Sequence, residues 1–248
     1  MNIDASATIK DIVAETPNAI AILRNFGISL DREEDRTLGL ACHSAGVPVD
    51  DVVCSLEQGS LPQQETDIAR WDDALPSNLI AHIVEKHHAY CREELGRLEQ
   101  LLRTVVHTHA DRHPELRRIQ DVFIKMGTDL KQHLLKEEQT LFPMIVRMEE
   151  AHGRQTAPPR FPFGTIANPI RMMILEHDTG DHQLDEIRKL SSNYILPADT
   201  GADYQALLEG LQGFEQDMKQ HVFLENDRLF PRAIALEQAG IVSRSAHS

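Results

Sequence analysis

Cysteine is scarce in this chain of 248 residues, and the three present, Cys42, Cys54 and Cys91, stand at wide and unmatched spacings. That excludes a disulfide framework, and no C-x-x-C pair is available for zinc or redox work. Positive charge is short too: 25 Lys and Arg face 39 Asp and Glu, a formal net charge of −14. Phosphate binding wants clustered Lys and Arg, so a general nucleic-acid role is excluded and the charge reads as solubility. No apolar run approaches the roughly 18 residues that span a bilayer, so no membrane partner is expected. The start, Met1-Asn2-Ile3-Asp4, lacks a basic stretch followed by an apolar run, and the expectation is a cytoplasmic protein without a signal peptide. Period-two alternation is missing over any useful length, which leaves an all-α chain.

What is there begins with a short, punctuated region. Residues 1–60 read as a small N-terminal helical domain. Thr8 and Asp11 have the spacing of a capping box, Thr16-Pro17 suits a helix start, and Gly27 suits that helix's end. Two further short helices are expected at about 35–45 and 48–58. Gly, Pro and polar residues make 61–76 a linker. From there long helical periodicity takes over, and residues 77–240 read as an up-down four-helix bundle. Its helices are expected at about 77–107, 113–149, 164–194 and 203–238. The loops between them carry His113-Pro114, then Gly153 with Pro158-Pro159-Arg160, then Pro197 to Gly201.

The bundle repeats itself. Residues 129–143 read DLKQHLLKEEQTLFP and residues 217–231 read DMKQHVFLENDRLFP, an offset of 88 with eight of fifteen positions identical. A weaker echo at an offset of 89 joins His88 to His177, Leu95 to Leu184 and Leu98 to Ile187. Two helical hairpins related by a pseudo-twofold axis are the implied plan.

The thirteen histidines acquire meaning by position. In the second helix Met126, Leu130, His133, Glu137, Leu141, Met144 and Met148 follow one another in steps of three and four. In the fourth, Leu207, Leu211, Phe214, Met218, His221, Glu225 and Leu229 do the same. Such steps define one face of a helix, so each His and Glu points at the core. His88 follows Val84 and precedes Cys91 and Leu95 on a like stripe, and His177 lies between Met173 and Leu184. His87 competes with His88, but the offset pairs His87 with Glu176, and His88 continues the stripe.

A buried carboxylate without a partner costs several kcal/mol. Two of them converging with four imidazoles need a cationic companion, and a pair of metal ions supplies it. Side chains at i and i+4 are neighbours, so one H-x-x-x-E can place an imidazole on one ion while its carboxylate bridges to a second. A single H-x-x-x-E is more often a surface ion pair; two in a repeated block on the apolar stripe point to metal. Glu85-x-x-His88 also fits the Glu-x-x-His motif of ferritin-like bundles, but the third helix offers Ile174 where the second Glu should be. The set is His-rich, which suits iron held for O₂ or NO. Asp129 and Asp217 each precede a candidate His by four residues, where they could accept its remaining N–H; a solvated helix edge is the plainer reading.

At H-x-x-x-E-E-x-x-L-F-P (His133 to Pro143) and its partner His221 to Pro231, the chain resembles the hemerythrin-like proteins. More closely it is similar to the Repair of Iron Centres family of di-iron proteins. The resemblance spans nearly the whole length. It implies a hemerythrin-like bundle and two iron ions in an oxo- and carboxylate-bridged centre held by His88, His133, Glu137, His177, His221 and Glu225. It adds His109 as a further loop histidine, and Glu176 as a carboxylate near the iron site. The family's N-terminal Cys-Cys pair is absent: the stretch here is Phe26-Gly27-Ile28-Ser29-Leu30-Asp31, and only Leu40-Ala41-Cys42 and Gly46-Val47 survive from the later pattern.

By that resemblance the protein serves nitrosative and oxidative stress. Damaged iron–sulfur proteins are its implied partners, NO or O₂ the small ligand, and a homodimer contact one use of the N-terminal unit. NO-reductase-like or peroxidase-like turnover stays open. The alternative is a hemerythrin-like O₂ or NO sensor or carrier without turnover.

Overall fold

The computed structural model describes residues 3, 5–16, 19–26, 28, 36–45, 47–58, 71, 74–157, 159, 161–162 and 164–245. The chain divides into two compact units, Met1–Asp73 and Ala74–Ser248. Most of the expected linker lies outside the described residues. So do Pro17, Gly27, the stretch Ser29 to Asp31, Gly46, Pro158 and Arg160.

In the first unit α1 spans Ile9–Glu15, α2 Ala19–Asn25, α3 Leu38–Ala45 and α4 Val49–Gln58. Thr8 caps α1: its Oγ1 accepts from the Asp11 N–H at 3.2 Å, the Thr8 half of the expected capping box, and donates to Asp11 Oδ2 at 2.7 Å. Ile9, Ile12, Ile22, Leu23, Leu38, Val52 and Leu56 form a closed core. Gly39 donates to Ala5 O at 2.8 Å, and a Cβ there would sit 3.2 Å from that oxygen, so the close approach selects glycine.

The second unit is four long helices. Pro76–His82 runs on through Ile83–His88 and Ala89–His109 as α5. Glu115–Lys136, Glu137–Leu141 and Phe142–Gly153 make α6, and Ala167–Leu190 is α7. Ala202–Phe223, Leu224–Leu229 and Phe230–Ser245 make α8. The middle segments of α5, α6 and α8 are π-helical turns, which are frequent at functional sites. Among the described residues there is no strand, only isolated bridges at Thr8–Thr37 and Phe161–Gly164. The chain is all-α.

Helix α5 packs against α6 and α8, α6 against α7, and α7 closes onto α8. One half of the interior is apolar. Leu98 and Leu102 meet Ile119, Phe123, Ile187, Leu207 and Phe214, with Phe123 and Phe214 edge to face at 5.9 Å. Each such buried side chain contributes about 1.5–3 kcal/mol, which makes this half the anchor for the polar half beyond it. Helix ends are tied across the bundle. Glu149 near the end of α6 accepts from Ser77 N at 2.8 Å, and Glu237 near the end of α8 accepts from Ile166 N at 2.9 Å. Helix α7 stops short of its expected end at 194. Ser192, Asn193 and Tyr194 take φ of 53°, 59° and 61°, left-handed turns that break the helix. Tyr194 is held there by donating to Glu215 Oε2 at 2.7 Å.

Candidate metal centre

In the polar half of the bundle, six side chains from all four helices converge. The apolar stripes carry His133 and Glu137 inward on α6, His221 and Glu225 on α8, His88 on α5 and His177 on α7. Three of the four helices widen into a π turn here, and those turns hold His88, Glu137 and Glu225. All six are buried, the two glutamates completely.

Every imidazole turns its Nε2 inward. Nε2 of His88 lies 3.1 Å from Nε2 of His221, and Nε2 of His177 lies 3.0 Å from Nε2 of His133. The glutamates stretch between these pairs. Glu137 places Oε1 3.3 Å from His133 and Oε2 3.5 Å from His88; Glu225 places Oε1 3.0 Å from His221 and Oε2 3.1 Å from His177. Two four-residue groups result: His88, Glu137, His221 and Glu225, and His133, Glu137, His177 and Glu225. Within each, the donor atoms lie within 4.8 Å of one another. Both glutamates belong to both.

The outer nitrogens settle the tautomers. Nδ1 of His88 meets Glu138 Oε1 at 2.7 Å, Nδ1 of His133 meets Glu176 Oε2 at 2.9 Å, and Nδ1 of His177 meets Asn226 Oδ1 at 3.0 Å. Each partner accepts, so each Nδ1 carries the hydrogen and each Nε2 of the neutral ring presents a lone pair. Lone pairs facing each other at 3.0 Å need a proton or a metal ion between them. Both oxygens of Glu137 and Oε2 of Glu225 are buried with no hydrogen-bond partner among the described residues. A buried carboxylate in that condition is tolerable only beside positive charge. The donor set fits divalent iron: borderline imidazole nitrogen with hard carboxylate oxygen.

Electrostatics point the same way. Burial opposes charge on His221, yet Glu225 and Cys91 raise its pKa well above the usual histidine value. Burial likewise opposes ionisation of Glu225, but His221, His177 and His88 hold it well below the carboxylate range. For His133, burial is outweighed by Glu137, Glu225 and Glu176, which raise it to about 9. The carboxylates thus create a strongly cation-seeking interior. Outside it, Arg92 and His88 overcome burial to keep Glu138 ionised, and Lys136 and His133 do so for Glu176.

The other sequence candidates are placed as follows. Glu176 meets His133, as above. Asp217 makes no direct hydrogen bond to His221, four residues on; its Oδ1 accepts from His87 Nδ1 at 2.9 Å. Asp129 accepts from Gln183 Nε2 at 3.4 Å instead of from His133. His109 is not brought to the cluster. It lies 21 residues beyond His88 on one continuous helix, about 30 Å along its axis, facing Asp203 at 3.4 Å and the Tyr204 ring. The loop position that resemblance suggested is the far end of the bundle.

Sequence reasoning missed Glu138 and Asn226. Each directly follows a candidate Glu, and the 88-residue offset pairs them with one another. That repeat was the available signal, hidden because a charged residue beside a buried one reads as helix surface.

Between α6, α7 and α8 a cavity of about 240 Å³, apolar on the side of Met126, Leu130, Leu184 and Phe214 and polar on that of Asp129, Lys136, Glu176 and Asp181, reaches His133 and His177. Small apolar molecules could enter by it.

A family model described as the hemerythrin HHE cation-binding domain matches residues 79–233. The iron-sulfur cluster repair protein YtfE of Musicola paradisiaca is 30% identical over 228 residues, 92% of this chain and 96% of that protein. The YtfE protein of Dickeya chrysanthemi is 29% identical over 228 residues, covering 92% and 96%. A probable iron-sulfur cluster repair protein of Haemophilus influenzae is 28% identical over 230 residues, covering 93% and 97%.

Proposed function

Since this chain belongs to the hemerythrin HHE cation-binding family and, over almost its full length, to the iron–sulfur cluster repair proteins, we propose that it is a di-iron protein that restores damaged iron–sulfur clusters. Its ligands are His88, His221 and the two glutamates on one side, and His133, His177 and the same glutamates on the other. The sharing of Glu137 and Glu225 by both groups, with oxygens that no other described group satisfies, is the observation that carries two ions rather than one.

Bound there, iron would supply reversible electron transfer and open positions for NO or O₂. The rest is done by the chain. Glu138, Glu176 and Asn226 hold their imidazoles with Nε2 facing inward and the hydrogen on Nδ1. Met126, Leu130, Leu184 and Phe214 give the opening towards His133 and His177 an apolar side, beside the polar Asp129, Lys136, Glu176 and Asp181, and the opening is wide enough to admit a diatomic molecule. In this reading repair takes place in the cytoplasm; separately, no helix among the described residues is long and apolar enough to cross a membrane.

The test loads the full chain anaerobically with ferrous iron and adds it to a dehydratase whose cluster NO has destroyed. Recovery of dehydratase activity in step with iron loss from this protein is expected. No recovery, with the iron retained and NO bound, would leave a carrier or sensor and contradict the repair reading.

A further inference from the structure

The four inward-facing histidines are not treated alike. Nδ1 of His221 is buried with no hydrogen-bond partner among the described residues, whereas the other three each meet a side-chain acceptor. The repeat makes this asymmetry pointed. Glu138 and Asn226, equivalent at an offset of 88, serve His88 and His177. His133 is served by Glu176. The position equivalent to Glu176 at the 89-residue offset, which should serve His221, is His87. A histidine stands where the symmetry calls for a carboxylate.

His87 is in the right place for the task. It is wholly buried, and its ring lies parallel to that of His221, with centroids 5.7 Å apart and an interplanar angle of 5°. Its Nδ1 meets Asp217 Oδ1 at 2.9 Å, so that nitrogen carries the hydrogen and Nε2 of the neutral ring is an acceptor. Nε2 of His87 and Oδ2 of Asp217 are also buried without a partner among the described residues. Asp217 sits one turn before His221 on α8. Three unsatisfied polar atoms therefore belong to three mutually adjacent side chains: one donor, His221 Nδ1, and two acceptors. Cys91 is the competing neighbour: its thiol interacts with the His221 ring and raises its pKa, but it donates to Met218 Sδ at 3.4 Å and leaves His221 Nδ1 without a partner in hydrogen-bond geometry among the described residues.

We propose that His87 and Asp217 enclose a buried water that accepts from His221 Nδ1–H and donates to His87 Nε2 and Asp217 Oδ2, and that this hydrated pair is the positioning device for His221. Buried waters typically make about three hydrogen bonds to otherwise unsatisfied groups, and the count here is one accepted and two donated. The inference rests on His221 being a metal ligand. His87 touches no metal in this scheme; it acts through His221, as Glu176 acts through His133.

Two measurements on the full chain test it. The first is competition between the protein and a calibrated chelator for ferrous iron, which resolves the two affinities. Loss of a partner that orients a ligand imidazole costs about 10–100-fold in metal affinity. His87→Phe and Asp217→Ala should weaken one ion by that factor and leave the other within about threefold, while Glu176→Gln should weaken the opposite ion. The double variant His87→Glu with Asp217→Asn, which copies the Glu176 arrangement, should restore wild-type affinity for both. Equal weakening of both ions together with a lowered Tm, or equal loss from Cys91→Ala, would overturn the proposal. The second is a high-resolution crystal structure of the full chain, with or without metal. Ordered water within hydrogen-bond distance of all three atoms supports the proposal, and a direct contact of His221 Nδ1 with Cys91 Sγ refutes it. A wild-type chain that takes up fewer than two ions would refute the di-iron reading instead, and the crystal structure would still decide the hydration site.

Discussion

Replacing Glu137 with Gln keeps the shape and helix propensity of the side chain while removing its charge. Its consequence can be worked from its place in the structure. Glu137 belongs to both four-residue groups, so neutralising it takes one donor of four from each ion. Structural zinc sites with four donors bind with about 10–16 kcal/mol, or roughly 2.5–4 kcal/mol per donor. By that scale Glu137→Gln lowers the affinity for each ion by about 10²–10³-fold. Two graded comparisons sharpen the claim. Of the six proposed ligands Glu138 touches only His88, so Glu138→Gln should weaken a single ion by about 10–100-fold. Lys136→Met removes only the half-exposed partner of Glu176 and should change either affinity by a few-fold at most. The assay is anaerobic chelator competition, with circular dichroism confirming that each metal-free variant folds. If Glu137→Gln held both ions within threefold of wild type, the bridging role would be refuted; if it weakened one ion alone, Glu137 would belong to one group.

Other expectations concern fold and division of labour. A chain starting at Ala74 should fold as a bundle and bind two irons, measured by metal analysis, because every proposed ligand lies in that unit; failure to load iron would make the N-terminal unit part of the centre. Gly96→Ala, where an added Cβ meets nothing within 4 Å, should stabilise the bundle by about 0.5–1 kcal/mol in denaturant unfolding. Gly210→Ala should instead destabilise it by about 1–3 kcal/mol, since its Cβ would lie 2.6 Å from Cδ2 of the buried Leu98. Burial pushes the Cys42 thiol up to about 11. The unfolded chain therefore loses this proton first, and the N-terminal unit should weaken as pH rises from about 9 towards that value. Cys42→Ala should remove that dependence in pH-resolved melting curves.

The bundle was legible because its apolar stripes are long and its hairpins repeat. His133, Glu137, His221 and Glu225 were found by lying on those stripes twice at the same offset, and the structure brings them together. Sequence could not show what stands behind the ligands. Glu138 looks like surface charge until the π turn at Glu137–Leu141 and the approach of α5 carry it to His88. For Asp217 the spacing left open whether it faces His221 or a solvated helix edge, and a residue on the neighbouring helix, His87, takes one oxygen of its carboxylate. His109 is a different kind of miss. A resemblance at one loop histidine carried no distance, and six turns of uninterrupted helix separate it from the cluster. Side-chain partnership across helices depends on packing register, which periodicity alone does not encode.

The central claim is that two irons share two glutamates. X-ray absorption on the full-length protein, loaded with iron and freed of excess metal, tests it most directly. The account predicts two irons per chain, a first shell of nitrogen and oxygen with no sulfur, and an iron–iron vector at about 3–4 Å that disappears in Glu137→Gln. A single iron per chain, or two with no iron–iron vector, would contradict it.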